Sequence, residues 1–234
     1  MAEVTLDGIK YTTIDDKTAM ASISNGEGAL TILKKVKIDG KEYTVTKVGA
    51  LQGSWVDGRV SVSIPDSVTS IENLWKCSNI TIPDSVTSIR SICDCDCSIT
   101  IPESITALNY IRACTLTIPA SVSTISEISG ENGILMLSIK RAAPPNLAKA
   151  VNLAKDDVLI VPEGAAEAYK KHPMWGKFKN ISEDPSLNEE TALLNAGTQL
   201  DYAMQALRSY LGITTDDSLV IHTDSIVPVF TVSA

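Results

Sequence analysis

The sequence IPDSVTSI occupies residues 64–71 and is repeated without change at residues 82–89. Two variants follow, IPESITAL at residues 101–108 and IPASVSTI at residues 118–125. The four prolines, Pro65, Pro83, Pro102 and Pro119, are separated by 18, 19 and 17 residues. This regularity predicts an array of stacked units, because one copy buries too little apolar surface to be stable by itself.

Each proline follows a triplet with an apolar first residue, a polar second and an apolar third. The triplets are residues 62–64, 80–82, 99–101 and 116–118. This pattern predicts a strand whose first and third side chains share one face. The proline ends the strand because it has no backbone N–H. A turn with serine follows, and then an apolar pair (Val68 and Ile71 in the first copy) that we expect to close the coil.

The repeated phrase resembles the BspA-like leucine-rich repeats of bacterial surface proteins. Cys77, Cys97 and Cys114 match the cysteine of that family, and the resemblance implies that they face the core. The small-plus-aromatic pair of the family is missing here, which predicts flatter coils. The likeness extends into the family's closing unit, on Pro144-Pro145, residues 159–162, Tyr169, Trp175 and Phe178. It covers roughly residues 8–183 and implies a solenoid that presents a binding surface.

We therefore expect a mainly β fold in four parts. These are a β-rich N-terminal cap (1–50), the leucine-rich repeats (51–140), a C-terminal cap of the solenoid (141–183) and a tail of helix and strands (184–234). Cap strands are predicted at 8–13, 19–23, 30–38 and 43–48, with Asp39-Gly40 as a hairpin turn. In the C-terminal cap we expect a short helix over 163–171, and Trp175 and Phe178 as the plug of the stack.

The tail carries the clearest helix pattern, over residues 189–211. Its apolar residues are spaced three and four apart, as in the seam of a short coiled coil, and Gly212 ends the helix. Strands are predicted at 218–222 and 226–232. Because the cap already closes the array, the seam favours a homo-oligomer (dimer or trimer) or docking onto a larger assembly over packing on the chain's own cap. The candidate docking residues are Leu193, Leu200, Met204, Leu207, Tyr210 and Leu211.

Composition narrows the classes of function. The formal charge is −8 with no cluster of Lys or Arg, so nucleic acid is a poor partner because phosphate neutralisation supplies most of that affinity. No stretch has the length of a membrane span, so no membrane insertion is expected. Aromatic residues make up only 5%, so the core must be mostly aliphatic.

Three groups of residues have the chemistry of a site. Cys93, Cys95 and Cys97 would face one side of a strand and could hold zinc or copper(I), but tetrahedral zinc takes four ligands. Packed free thiols are therefore the favoured interpretation, with no metal and no cofactor. His172 and His222 lie in no nucleophile motif, and His172 is expected in a solvated loop. The acidic pairs 15–16, 156–157 and 216–217 are expected to form turns and add solubility rather than catalyse.

Trp55 and Trp75 are the candidate binding residues. Both lie near the repeats and have polar neighbours. Exposed aromatic side chains on a β face stack on sugars or anchor protein partners. The alternative is that they fill the space left by the missing aromatic residue of the family.

The favoured function is a non-catalytic structural and adhesive protein that displays the repeats, with a host surface protein or a glycan as ligand. The sequence as written has no secretion signal, and related repeats are frequent in gut bacteria and their phages. We therefore expect a place on the phage virion, as a capsid decoration or head fibre. The alternative is a bacterial cell-surface adhesin that lacks its leader. A carbohydrate-active enzyme is the third hypothesis, and it requires converging acids or a Cys/His pair.

Overall fold

The N-terminal part of the computed structural model is built from six strands. They are β1 (Glu3–Leu6), β2 (Ile9–Thr13), β3 (Thr18–Gly26), β4 (Gly28–Thr31), β5 (Lys35–Ile38) and β6 (Lys41–Gly53). The structure describes residues 1–53, 60–95, 97–131 and 133–188, together with the backbone of 218–222 and 229–233. The single strand predicted over 30–38 is wrong. The chain crosses from one sheet to another between β4 and β5, where Ile32 is buried.

Two Asp-Gly turns join antiparallel strands in this part. Asp39 and Gly40 connect β5 to β6 with Ile38 opposite Lys41, which confirms the predicted hairpin. The φ angles of Asp39 and Gly40 are 52° and 79°, in the left-handed region that Asp and Gly tolerate best. Asp7-Gly8 joins β1 to β2 in the same way. Strand β1 was not predicted, although its turn carries the same signal.

Each copy of the repeated phrase lies between two strands of different sheets. The strands are β7 (Val60–Ser63), β8 (Ser70–Trp75), β9 (Cys77–Thr81), β10 (Ser88–Cys93), β11 (Ser98–Thr100), β12 (Ala107–Arg112), β13 (Thr115–Ile118) and β14 (Thr124–Ser129). The odd-numbered strands precede the prolines, as predicted. The even-numbered strands follow the turns and were expected only as apolar pairs that close the coil.

The closing unit adds strands to both sheets and a little helix. Its elements are β15 (Met136–Ile139), β16 (Asn146–Val151), β17 (Val158–Val161), α1 (Ala166–Lys171), a 3-10 turn (Trp175–Lys177), β18 (Asn180–Glu183) and a second 3-10 turn (Pro185–Leu187). Helix α1 begins later than predicted because the chain first makes a turn at Gly164, whose φ of 81° is left-handed. Trp175 and Phe178 are buried in the core as expected.

The strands form one long sheet and two shorter ones. The long sheet has the order β1-β2-β3-β6-β8-β10-β12-β14-β16, with β5 also paired to β6. The shorter sheets have the orders β4-β7-β9 and β11-β13-β15-β17-β18. Apart from the antiparallel β5–β6 hairpin, neighbours are parallel from β3 onward in the long sheet and throughout both shorter sheets. Strands of successive repeats thus pair in register, and buried Ile, Val and Leu form the core.

The serine of the phrase ties each coil to the preceding one. Its hydroxyl donates to a backbone carbonyl of the coil before: Ser67 to Val45 at 2.7 Å, Ser85 to Val68 at 2.7 Å, Ser104 to Val86 at 2.5 Å and Ser121 to Ile105 at 2.8 Å. Within the turn, the N–H of the next residue donates to the proline carbonyl, as from Val68 to Pro65 at 3.1 Å. The phrase therefore recurs because its serine hydroxyl and its proline carbonyl make the same hydrogen bonds in all four copies.

A left-handed corner follows three of these strands. Lys76, Asp94 and Ala113 have φ angles of 54°, 51° and 40°. A buried cysteine comes directly after each corner residue, namely Cys77, Cys95 and Cys114. The expected core position of Cys97 is wrong, because Cys95 occupies it at 3% exposure while Cys97 is only partly buried. The corner also breaks the strand once predicted to align Cys93, Cys95 and Cys97.

The chain divides into two compact units, Met1–Asn188 and Glu189–Ala234. In the second unit, β19 (Ser218–His222) pairs antiparallel with β20 (Val229–Ser233). Strand β19 matches its predicted bounds. Strand β20 overlaps the strand predicted over 226–232, of which residues 226–228 lie outside the described residues. The helix predicted over 189–211 lies outside the described residues. Of the helices that the structure describes, none has the length and apolar character needed to cross a bilayer.

Candidate functional site

A shallow groove of about 490 Å³ crosses the outer face of the long sheet at β6, β8, β10 and β12. The register of these strands places residues from four coils in two rows. The first row is Gln52, Trp75, Cys93 and Arg112, and the second is Ala50, Asn73, Ser91 and Tyr110. The buried side chains of Leu51, Leu74, Ile92 and Ile111 lie between the rows. Packing thus fixes the positions of the groove residues.

Asp94 links two residues of the first row at the corner of the coil. Its carboxyl Oδ2 accepts a hydrogen bond from Trp75 Nε1 at 2.9 Å. The Arg112 guanidinium donates to both carboxyl oxygens, at 3.2 Å from Nε and 2.6 Å from Nη2. The side chains of Arg112 and Asp94 are 20% and 19% exposed, so the pair is shielded from solvent more than an ordinary surface ion pair. These bonds hold the Trp75 ring and the guanidinium in place at the rim.

The floor of the groove is small and uncharged. Ser91 Oγ donates to Asn73 Oδ1 at 2.6 Å, which orients the amide and leaves its nitrogen as a donor. Burial raises the pKa of the Cys93 thiol to about 11, so the thiol is protonated and unreactive at neutral pH. Trp75 and Tyr110 flank this floor from β8 and β12. They are two strand spacings apart, which is about 10 Å at roughly 4.8 Å per spacing.

A second hollow of about 340 Å³ adjoins the groove around the corner. Asp94 lines it together with Thr115, Gly133 and Ile134. The Ile134 side chain is 62% exposed. The ion pair between Asp94 and Arg112 therefore separates two neighbouring hollows, one on the sheet face and one at the corner.

The predicted binding residues have different outcomes. Trp75 lies in the groove, partly exposed, with its indole nitrogen engaged by Asp94. Trp55 lies outside the described residues. The docking candidates Leu193, Leu200, Met204, Leu207, Tyr210 and Leu211 also lie outside them.

The five cysteines, all of which the structure describes, form no disulfide. Among the residues that the structure describes, no three His, Cys, Asp or Glu side chains lie close enough to hold a metal ion. Burial raises the pKa of Cys114, and a hydrogen bond with Cys77, followed by burial, raises that of Cys95. The thiols of Cys95 and Cys114 are thus packing groups at neutral pH. Cys77 is fully buried in the core.

The histidine and acidic residues have structural partners. His172 Nδ1 accepts hydrogen bonds from the N–H groups of Met174 at 3.2 Å and Trp175 at 3.4 Å. It therefore orders the loop after α1, where its side chain is partly exposed. Asp157 is fully buried, and the expectation of a solubilising charge is wrong for it. Its carboxyl oxygens accept from Leu135 N–H at 2.9 Å and Ala154 N–H at 2.7 Å.

Tyr110, Arg112 and Asp94 were missed as site residues, although the sequence holds a signal for Arg112. Trp75, Cys93, Arg112 and Ser129 are each the tenth residue after Pro65, Pro83, Pro102 and Pro119. Alignment of the copies on their prolines therefore recovers the first row of the groove.

Comparison with known proteins does not assign the chain to a family. No family model matches the chain, and no curated protein matches it. Among solved structures, a leucine-rich cell surface protein from Faecalibacterium prausnitzii A2-165 is similar at 16% identity, over 77% of this chain and 72% of that one. The TM-score is 0.28, too low to support an assignment of fold or function.

Proposed function

We propose that the chain is a non-catalytic binding protein, a short solenoid of the BspA-like leucine-rich-repeat type that presents the groove to its ligand. The observation that carries the proposal is the register of the long sheet, which gathers Trp75, Tyr110 and Arg112 from separate coils into one outward depression. Aromatic and arginine side chains dominate the binding energy of most protein surfaces. The parallel stacking of coils between two layers of sheet supports the solenoid.

The partners of the reactive groups support a role without catalysis. The Asp94 carboxyl is engaged by Trp75 and Arg112. The Cys93 thiol is held protonated by burial, and His172 accepts backbone hydrogen bonds in the closing unit. A hydrolase needs an acid and a base or nucleophile that are free to act on substrate, whereas these groups maintain the shape of the fold.

Loss of Trp75 is expected to weaken adhesion strongly. In a binding assay with fluorescently labelled protein on a panel of bacterial and epithelial cells, Trp75→Ala should lower affinity about 30-fold, the size of a hot spot worth roughly 2 kcal/mol. Leu33→Ala is the matched control, because Leu33 is 40% exposed and lies outside the groove. Equal binding by Trp75→Ala and the wild-type chain would contradict the proposal.

The proposed place of display is the surface of a phage particle, where the protein would serve as a capsid decoration or head fibre. The alternative is the bacterial cell surface. In either place, the tail would form a dimer or trimer or dock onto a larger assembly, while the groove remains accessible. The seam of Leu193, Leu200 and Leu207 in the sequence is the observation behind this part of the proposal.

The double variant Leu200→Lys and Leu207→Lys should lower the oligomeric mass or abolish docking on particles. Charges placed in an apolar seam oppose association, while the serine-linked coils should stay folded. Light scattering measures the mass, and electron microscopy of purified particles measures docking. Unchanged mass with persistent docking would assign the tail to intrachain packing. Recovery of the protein only from the soluble cell fraction would remove the virion placement.

A further inference from the structure

We infer that the ligand of the groove is a neutral oligosaccharide, which stacks on Trp75 and Tyr110 and extends around the corner towards Ile134. This inference rests on the proposed binding function and names the class of ligand. It is carried by the charge of the groove, the spacing of its aromatic residues and the adjoining hollow.

The charge of the groove favours an uncharged ligand. Among the described residues that line the groove, Arg112 is the one ionic side chain, and Asp94 neutralises its charge at 2.6 Å. The chain as a whole carries −8, so an anionic ligand would approach against the net field. A cationic ligand would meet no carboxylate among the lining residues that the structure describes. The remaining polar groups are amides and hydroxyls, which bind other hydroxyl groups without desolvating a charge.

The shape of the groove favours a sugar over a protein partner. Trp75 of β8 and Tyr110 of β12 line the groove, and the small residues Ser91 and Cys93 of β10 lie between these strands. We call the space over Ser91 and Cys93 the slot. A sugar ring has an apolar face for such rings and equatorial hydroxyls for Asn73, Gln52 and Arg112. The volume of about 490 Å³ is that of a small-ligand site, which holds roughly 300–1,000 Å³. Stable protein interfaces instead need about 800 Å² from each partner.

The corner hollow extends the site beyond one sugar. It begins at the Asp94–Arg112 pair, where the groove ends, and offers the exposed Ile134 side chain beside the Thr115 hydroxyl. A ligand with repeating polar and apolar edges can pass over the ion pair and contact both hollows. Affinity is therefore expected to rise from monosaccharide to tetrasaccharide, and Ile134→Lys should remove the gain for longer ligands only.

The test is a glycan array probed with the full chain displayed on tetravalent streptavidin, which compensates for weak single-site affinity. The array carries neutral hexose and N-acetylhexosamine oligosaccharides, sialylated and sulfated glycans, and deglycosylated matrix proteins. We expect the wild-type chain to bind neutral oligosaccharides. Trp75→Ala and Tyr110→Ala should each lower the signal at least tenfold, and Leu33→Ala should leave it unchanged.

A second pair of variants distinguishes loss of the binding site from loss of the fold. Trp75→Phe keeps an aromatic platform and should retain most binding, although it loses the bond to Asp94. Ser91→Phe fills the slot while Trp75 and Tyr110 stay, and it should abolish binding. A matching circular dichroism spectrum and thermal midpoint show that each variant is folded.

Three results would overturn the inference. Binding of acidic glycans alone would refute the neutral ligand. Neutral glycan binding that survives Trp75→Ala and Ser91→Phe would refute the location. Binding of deglycosylated proteins alone, lost in Trp75→Ala, would refute the sugar while leaving the proposed binding function intact. By contrast, cell adhesion insensitive to Trp75→Ala would refute the function itself.

Discussion

Trp175→Ala is expected to destabilise the chain by about 3–5 kcal/mol, the range for removal of a large aromatic side chain from a packed core. The Trp175 side chain is fully buried, stacks on Phe178 with ring centroids 6.1 Å apart and meets the edge of Tyr169 at 5.8 Å. Its Nε1 donates to the Pro145 carbonyl at 2.8 Å. The substitution opens a cavity and leaves that buried carbonyl without its partner.

Urea unfolding followed by circular dichroism measures the loss. Native domains are stable by only about 5–15 kcal/mol, so the closing unit should unfold at much lower urea. Trp175→Phe keeps the ring contacts and should cost about 1–3 kcal/mol, mainly for the orphaned carbonyl. Leu33→Ala on the surface should change stability by less than about 0.5 kcal/mol. A loss below about 1 kcal/mol for Trp175→Ala would show that the plug does not hold the end of the stack.

Asp157→Ala is expected to cost about 3 kcal/mol, because it leaves two backbone donors unsatisfied at once. The Leu135 and Ala154 N–H groups both donate to this buried carboxyl. Each hydrogen bond to a carboxylate contributes about 1.5–3 kcal/mol. Asp157→Asn retains one acceptor and should cost roughly half as much. Equal stability of all three proteins in urea unfolding would contradict this role.

Gly130 offers an independent check on the same contact. A Cβ at this position would overlap Asp157 Oδ2 and lie 2.8 Å from the Asn152 carbonyl oxygen. Gly130→Ala should therefore destabilise the chain, and the cost should fall when Asp157 is also replaced by Ala. A double-mutant cycle measures this coupling, since residues in direct contact are not additive. If the free-energy costs of the two substitutions add, the Asn152 carbonyl oxygen alone excludes a side chain at position 130.

The strands before the prolines could be predicted because their alternation is local. The strands after the turns could not, since their buried residues, such as Ile71 and Leu74, are three apart and do not alternate. Two outward residues, Glu72 and Asn73, separate them. The parallel ladder to the neighbouring coils is what makes this segment a strand, and no single copy of the repeat contains that information.

The wrong prediction of a core position for Cys97 shows which part of the repeat varies in length. Cys77, Cys95 and Cys114 are each twelve residues after Pro65, Pro83 and Pro102, whereas the next proline follows after six, seven or five residues. All variation in coil length thus falls between the cysteine and the next proline. Counting back from Pro102 selects Cys97, which precedes it by five residues, as Cys114 precedes Pro119. Counting forward from Pro83 selects Cys95, which follows it by twelve residues. Asp157 could not be recognised, because its buried partners are backbone groups.

In the constant twelve-residue part of each repeat, the residues that keep the protein folded are separate from those of the proposed binding groove. Inward residues such as Leu74 and Ile111 hold the stack, and the outward residues beside them contribute little to the core. Trp75, Cys93 and Arg112 show how different side chains are accepted in one row. Under the proposed binding function, mutation at the tenth position of each repeat would change the ligand with little loss of stability. Specificity could then diversify there while the same scaffold is inherited.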